Sequence, residues 1–175
     1  GLAATGVAIS LKGARSSLDE KTAPLAGLTA TFIFAVQMLN FPVAAGTSGH
    51  LLGGALAAVL VGPWAASLAL TVVLLMQALL FADGGLTALG LNIFNMSLVG
   101  VWVGYLIFIL VKKFLPKNKS SISIAAFLAG LISVPCAAAG FVLQYAIGGT
   151  ATFSISQVLT AMLGTHFLIG IGEGV

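Results

Sequence analysis

Between Thr22 and Ala82 the chain has no Lys, Arg, Asp or Glu, yet His50 sits in the middle of that run, in Ala45-Gly46-Thr47-Ser48-Gly49-His50-Leu51-Leu52-Gly53-Gly54. A polar, metal-competent imidazole at membrane depth costs free energy unless it has a partner, so its presence there marks an expected site of function. Neutral imidazole is the commonest metal ligand, and borderline ions such as cobalt, nickel and zinc suit it. One histidine supplies one ligand, whereas a selective site needs about four. The plainer alternative is a buried histidine bonded to main chain in a tight turn, and spacing alone leaves both open.

The second histidine, His166, precedes Glu173 by seven residues, about two helical turns, so both fall on one helix face. It fits a second ligand, a group outside the ligand set that fixes the His50 tautomer, or a polar contact between helices. Ser48, Asn92, Asn95 and Asp83 are candidates to line a depression around His50; Asn92 and Asn95 share a face, and Asp83 falls in the turn Asp83-Gly84-Gly85. Gly46-Thr47-Ser48-Gly49 with a later His166 also resembles the serine and histidine dyad of rhomboid-type intramembrane proteases, in which imidazole activates a serine. Nothing else of that family is present, and the dyad leaves His50 unexplained. No Walker A motif, Cys-x-x-Cys pair or His-Glu-x-x-His occurs, so the chain is not expected to be an enzyme, and uphill transport would draw energy from a partner or a gradient.

The elements that hold these residues must be membrane helices. The chain has 175 residues, 59% hydrophobic and 6% charged, with a mean hydropathy of +1.16, against roughly 25% charged residues in soluble domains. Such a surface is solvated by lipid, where helices satisfy their own main-chain groups, and the alternating pattern of a membrane barrel is absent. The expected fold is an all-α polytopic transmembrane bundle of about six to seven spans, forming one domain over residues 1–175. The single Cys136 cannot form an internal disulfide and reads as a small hydrophobe.

The first apolar run, Gly1–Leu11, is too short to cross. Full spans are expected at Leu25–Phe41, Ala65–Ala82, Leu91–Leu115, Ile122–Ile147 and Ser156–Ile171. His50–Val61 is a short segment ended by the breaker Gly62-Pro63-Trp64, and it must begin below the outer surface for the crossings to alternate. All seven Lys and Arg then fall on one face, which the positive-inside rule makes cytoplasmic, with the His50 loop external. These cations lie in short clusters beside apolar runs, so nucleic acid is excluded as a partner. Small residues four apart, including Ala26 and Ala30, Gly100 and Gly104, Ala126 and Gly130, and Gly170 and Gly174, suit close helix packing. Ala26 and Ala30 are also candidates to contact a partner helix. The chain opens inside an apolar run and ends without a polar segment, so further residues are expected at both ends.

Gln37-Met38-Leu39-Asn40-Phe41-Pro42, Gly46 through Gly54, Gly62-Pro63-Trp64, Gln77 through Gly85 and Asn92-Ile93-Phe94-Asn95-Met96 closely resemble the CbiM/NikM family. The likeness is dense from about Thr22 to Gly104 and looser afterwards, where His166 and Gly170-Ile171-Gly172-Glu173 still fit. Those proteins are substrate-capture components of energy-coupling-factor transporters for cobalt or nickel. The resemblance implies capture of one Co²⁺ or Ni²⁺ from outside, cobalt being favoured, and its delivery across the cytoplasmic membrane of a bacterium or archaeon. The metal would serve cobalamin synthesis or nickel enzymes. It implies as partners a transmembrane coupling subunit, two cytoplasmic ATPases and a small accessory membrane subunit, with no organic cofactor. It also implies a ligand set of nitrogens: an amino-terminal Met-His pair, absent from this sequence, and the histidine of Thr-Ser-Gly-His, here His50. Four nitrogens in a near-planar array suit nickel or cobalt.

Overall fold

The computed structural model describes residues 1–43 and 47–175, with main chain alone for 41–43, 47 and 48. Helix α1 (Leu2–Ala14) and helix α2 (Thr22–Gln37) are followed by strands β1 (Phe41–Val43) and β2 (Thr47–Gly49), which pair antiparallel. Helix α3 (Gly54–Leu80) leads to α4 (Gly85–Asn92), which runs through a π-helical segment, Ile93–Gly100, into α5 (Val101–Phe114) as one 30-residue unit. Helices α6 (Lys119–Gly148) and α7 (Ile155–Gly174) complete the bundle. Counted as continuous helices, α3, Gly85–Phe114, α6 and α7 are long and apolar enough to cross a membrane. Their outward faces carry large apolar side chains such as Val72, Leu106, Leu143 and Leu168, as a lipid-solvated surface requires. The all-α membrane bundle is therefore the observed architecture, with one short β-hairpin added among the described residues.

Helix α3 is two helices in one run. Gly62 has φ 77° and ψ 162°, a conformation open essentially to glycine alone, and Pro63 supplies a first helical residue that needs no main-chain N–H. Leu52 O accepts a hydrogen bond from Gln37 Nε2 at 2.6 Å, and Gln37 Oε1 accepts one from Gln77 Nε2 at 3.0 Å. A straight helix would separate Leu52 from Gln77 by about 37 Å. The chain must therefore fold back at Gly62, so that Gly54–Val61 descends and Pro63–Leu80 returns, as the sequence breaker implied.

The depth of the short segment follows from its neighbours. Gly54 rests against Gly100, where an added Cβ would lie 3.2 Å from the Gly100 carbonyl carbon, and Gly100 lies at the middle of the Gly85–Phe114 span. Leu52 clusters with Val134, near the middle of α6, and with Ala137 and Ile169. Residues 52–54 thus stand level with the middles of the Gly85–Phe114 and α6 spans, at the foot of a depression.

Several expected boundaries move. Helix α2 stops four residues before Phe41, because the chain turns at Met38–Asn40 and enters the β-hairpin. The span expected at Leu91–Leu115 starts at Gly85 instead, because positive φ at Gly84 and Gly85 completes the turn and lets a helix begin at once. At the opposite end, Asp19 accepts main-chain N–H bonds from Thr22 and Lys21, which hold its carboxyl below the usual range and start α2.

The small-residue pairs serve internal packing. Gly104 abuts Ala55, Gly170 abuts Leu131, and Gly130 abuts Gly174, so α6 and α7 meet along a glycine seam. Ala26 and Ala30, expected to face a partner helix, are half-buried and pack against the interior cluster of Ile33, Ala57, Ala58 and Leu70. Their small size lets α2 approach α3, while the outward side of α2 carries Leu28, Thr31 and Phe32.

Candidate metal centre

Three consecutive peptide groups after His50 lie outside any helix, and at this depth each needs a partner from the protein. Leu51 O faces His50 Nδ1 at 2.8 Å, and Leu52 O is held by Gln37 from α2. The N–H groups of Leu52 and Gly53 both donate to Glu173 Oε1 from α7, the Gly53 bond being 3.0 Å. Gly53 itself has φ 74°, and an added Cβ would meet Ile33 Cγ1 at 2.7 Å, so the turn into α3 requires glycine.

A carbonyl oxygen only accepts, so His50 Nδ1 is the donor, and in the neutral imidazole Nε2 keeps its lone pair. His166 is arranged alike: Nδ1–H donates to Met162 O at 2.8 Å, one turn back in α7, and Nε2 is the basic nitrogen. Both histidines line one cavity of about 330 Å³ at the hairpin end of the bundle. His50 is half-buried and His166 is buried. The same cavity is lined by Gln77, Asp83, Asn92 and Asn95, with Leu74, Met96, Phe141 and Met162 as apolar wall.

Asn95, in the π segment, pairs with Gln144 of α6 through two amide hydrogen bonds. Ser97 ties the same segment to α3, donating to Ser67 O at 2.6 Å and meeting Thr71 Oγ1 at 2.8 Å. Winding of the π type often marks functional positions, and here it sets Asn95 and Met96 into the cavity wall. Asp83 stands at the rim, where its Oδ1 accepts from Asn40 Nδ2 at 3.2 Å.

Of the residues singled out by sequence, the structure gathers His50, His166, Asp83, Asn92 and Asn95 around one cavity; the Ser48 side chain lies outside the described residues. Glu173 and Gln37, which hold the His50 turn, were not singled out for that role. The readable signal was a carboxyl group in an apolar span, which needs a partner as much as a histidine does. Among the described residues no group of three or more His, Cys, Asp and Glu side chains could hold a metal ion. The geometry offers two imidazoles, His50 and His166, each held at Nδ1, in a chamber with amide and carboxyl groups on its wall.

The family described as "Cobalt uptake substrate-specific transmembrane region" (CbiM) matches residues 1–175 of the chain. The chain belongs to the CbiM family. Within and around that family, it is 44% identical over 155 residues to a protein of Archaeoglobus fulgidus named for fused nickel transport, covering 89% of this chain and 50% of the relative. It is 37% identical over 174 residues to the cobalt transport protein CbiM of Sorangium cellulosum, covering 97% of this chain and 76% of the relative. The crystal structure of a truncated transition metal transporter superposes with a TM-score of 0.81 at 33% identity, covering 96% of this chain and 82% of that one. CbiM membership and the apolar helices together make this a multi-pass membrane protein. These relatives are named as transport proteins, in line with a non-enzymatic role.

Proposed function

We propose that the chain is the substrate-capture subunit of an energy-coupling-factor importer for a divalent transition metal, cobalt first and nickel next. The observation that supports this most is the His50 imidazole, half-buried with Nδ1 held by Leu51 O, Nε2 without a hydrogen-bond partner among the described residues, and lining a cavity of about 330 Å³. The names of the relatives, for cobalt and for nickel transport, agree with the ion class.

In this reading Co²⁺ or Ni²⁺ enters from outside and meets His50 Nε2, and an amino-terminal Met-His segment supplies the remaining nitrogens. The donor type fits: neutral imidazole and amine nitrogens favour these borderline ions over hard Mg²⁺ or Ca²⁺. Asp83 at the rim contributes negative charge along the entry path, and Asn92 and Asn95 offer polar groups to the ion's departing water. A transmembrane coupling subunit and two cytoplasmic ATPases, with a small accessory subunit, then drive release into the cytoplasm.

The test is accumulation of radioactive Co²⁺ and Ni²⁺ by cells carrying the full-length protein with its coupling and ATPase subunits. The importer predicts uptake that stops with His50→Ala and with a catalytically dead ATPase. Uptake that persists without ATPase subunits marks a passive channel instead.

A further inference from the structure

Two planar peptide groups connect Glu173 to His50. Leu51 C=O and Leu52 N–H belong to one trans peptide, so they point to opposite edges of a rigid plane. On one edge the carbonyl accepts the His50 Nδ1–H, and on the other the N–H donates to Glu173 Oε1. The next plane, Leu52 C=O and Gly53 N–H, is gripped in the same manner by Gln37 Nε2 and by the same Glu173 oxygen. Rotating the Leu51–Leu52 plane withdraws the carbonyl that holds the His50 Nδ1–H, and the Leu52–Gly53 plane, held at both edges, braces the first. Glu173 itself is fixed by the seam between α6 and α7, where Gly130 lies against Glu173 and Gly174, and Gly170 lies against Leu131.

We propose that Glu173 is the positioning residue for His50: without touching the ion, it sets the pose of the imidazole through the Leu51–Leu52 peptide and so sets how tightly the ion is held. This rests on the capture reading above. A residue that served only to satisfy two N–H groups would affect folding and leave the affinity of folded protein alone. A positioning residue changes the metal complex itself. Groups that orient a metal ligand from outside the ligand set typically alter affinity by about 10–100-fold.

The experiment uses the full-length protein, amino terminus intact, titrated with Ni²⁺ alone, reading the dissociation constant and the visible absorption bands of bound Ni²⁺. Glu173→Gln keeps an oxygen acceptor and is expected to bind within about threefold of wild type with the same bands. Glu173→Leu is expected to bind at least about tenfold more weakly with shifted bands. If Glu173→Leu does not fold, Glu173→Asp carries the same test, because it keeps a carboxyl group at the seam but draws the oxygen back by one carbon. Wild-type affinity and unshifted bands in folded Glu173→Leu, or in Glu173→Asp where Leu does not fold, overturn the positioning role and leave the capture reading standing. No Ni²⁺ binding by wild type overturns the capture reading itself, and the inference with it.

Discussion

Asn95 and Gln144 exchange two amide hydrogen bonds, Nδ2 to Oε1 at 2.8 Å and Nε2 to Oδ1 at 3.0 Å, and so lock the π segment to α6 beside the cavity. Gly140 leaves the space for this pair, since a Cβ there would meet Asn95 Oδ1 at 2.6 Å. Each amide satisfies the other where water is scarce, so removing one strands the other. Asn95→Leu and Gln144→Leu are each expected to lower stability in detergent by about 1–2 kcal/mol, and the double replacement by less than their sum. Additive losses in a double-mutant cycle of thermal or denaturant unfolding would show that the pair is not coupled.

Gly62 carries the reversal of α3 in a conformation that side chains avoid. Its Cβ position is open, so the cost of Gly62→Ala comes from backbone strain and not from a clash. The expected loss is about 1–3 kcal/mol, seen as a lower melting temperature. By contrast Gly27→Ala, in a helical position with open space, is expected to be neutral or slightly stabilising. Equal melting temperatures for Gly62→Ala and wild type would argue that the helix does not fold back there.

His166 offers its Nε2 to the same cavity as His50, but from the body of α7. If His166 acts from outside the ligand set, as we propose, His166→Ala is expected to weaken Ni²⁺ or Co²⁺ binding by about tenfold, with the stoichiometry unchanged. Isothermal titration separates the outcomes: complete loss of binding promotes His166 to a direct ligand, and no change removes it from the site.

The serine of Gly46-Thr47-Ser48-Gly49 gives a direct comparison of transport with proteolysis. Ser48→Ala is expected to lower metal accumulation far less than His50→Ala in the reconstituted importer. Cleavage of a membrane substrate that depends on Ser48 would reverse that assignment.

Much of the architecture was written in local pattern. The apolar runs gave most of the spans, Gly62-Pro63 gave the reversal, and the lone His50 in an uncharged stretch pointed to a residue that lines the cavity. What stayed hidden is set by long-range contact. Glu173 lies 120 residues from Gly53, and no local rule pairs an acid near the end of one helix with the turn before another. The π winding of Ile93–Gly100 was equally hidden, because Ser97, Ser67 and Thr71 stabilise it across two elements while its hydrophobic pattern matches an ordinary helix. For Ala26 and Ala30 the pattern left two roles open, because small residues suit internal and external partners alike; in the structure both are half-buried and pack against the interior cluster.

The central claim is that His50 Nε2, presented to the cavity, binds a transition-metal ion. Equilibrium dialysis of full-length protein with an intact amino terminus, against radioactive Co²⁺ and then Ni²⁺, tests it most directly. The expected result is one ion bound per chain by wild type and none by folded His50→Ala. Absence of binding by wild type, or undiminished binding by His50→Ala, would contradict it.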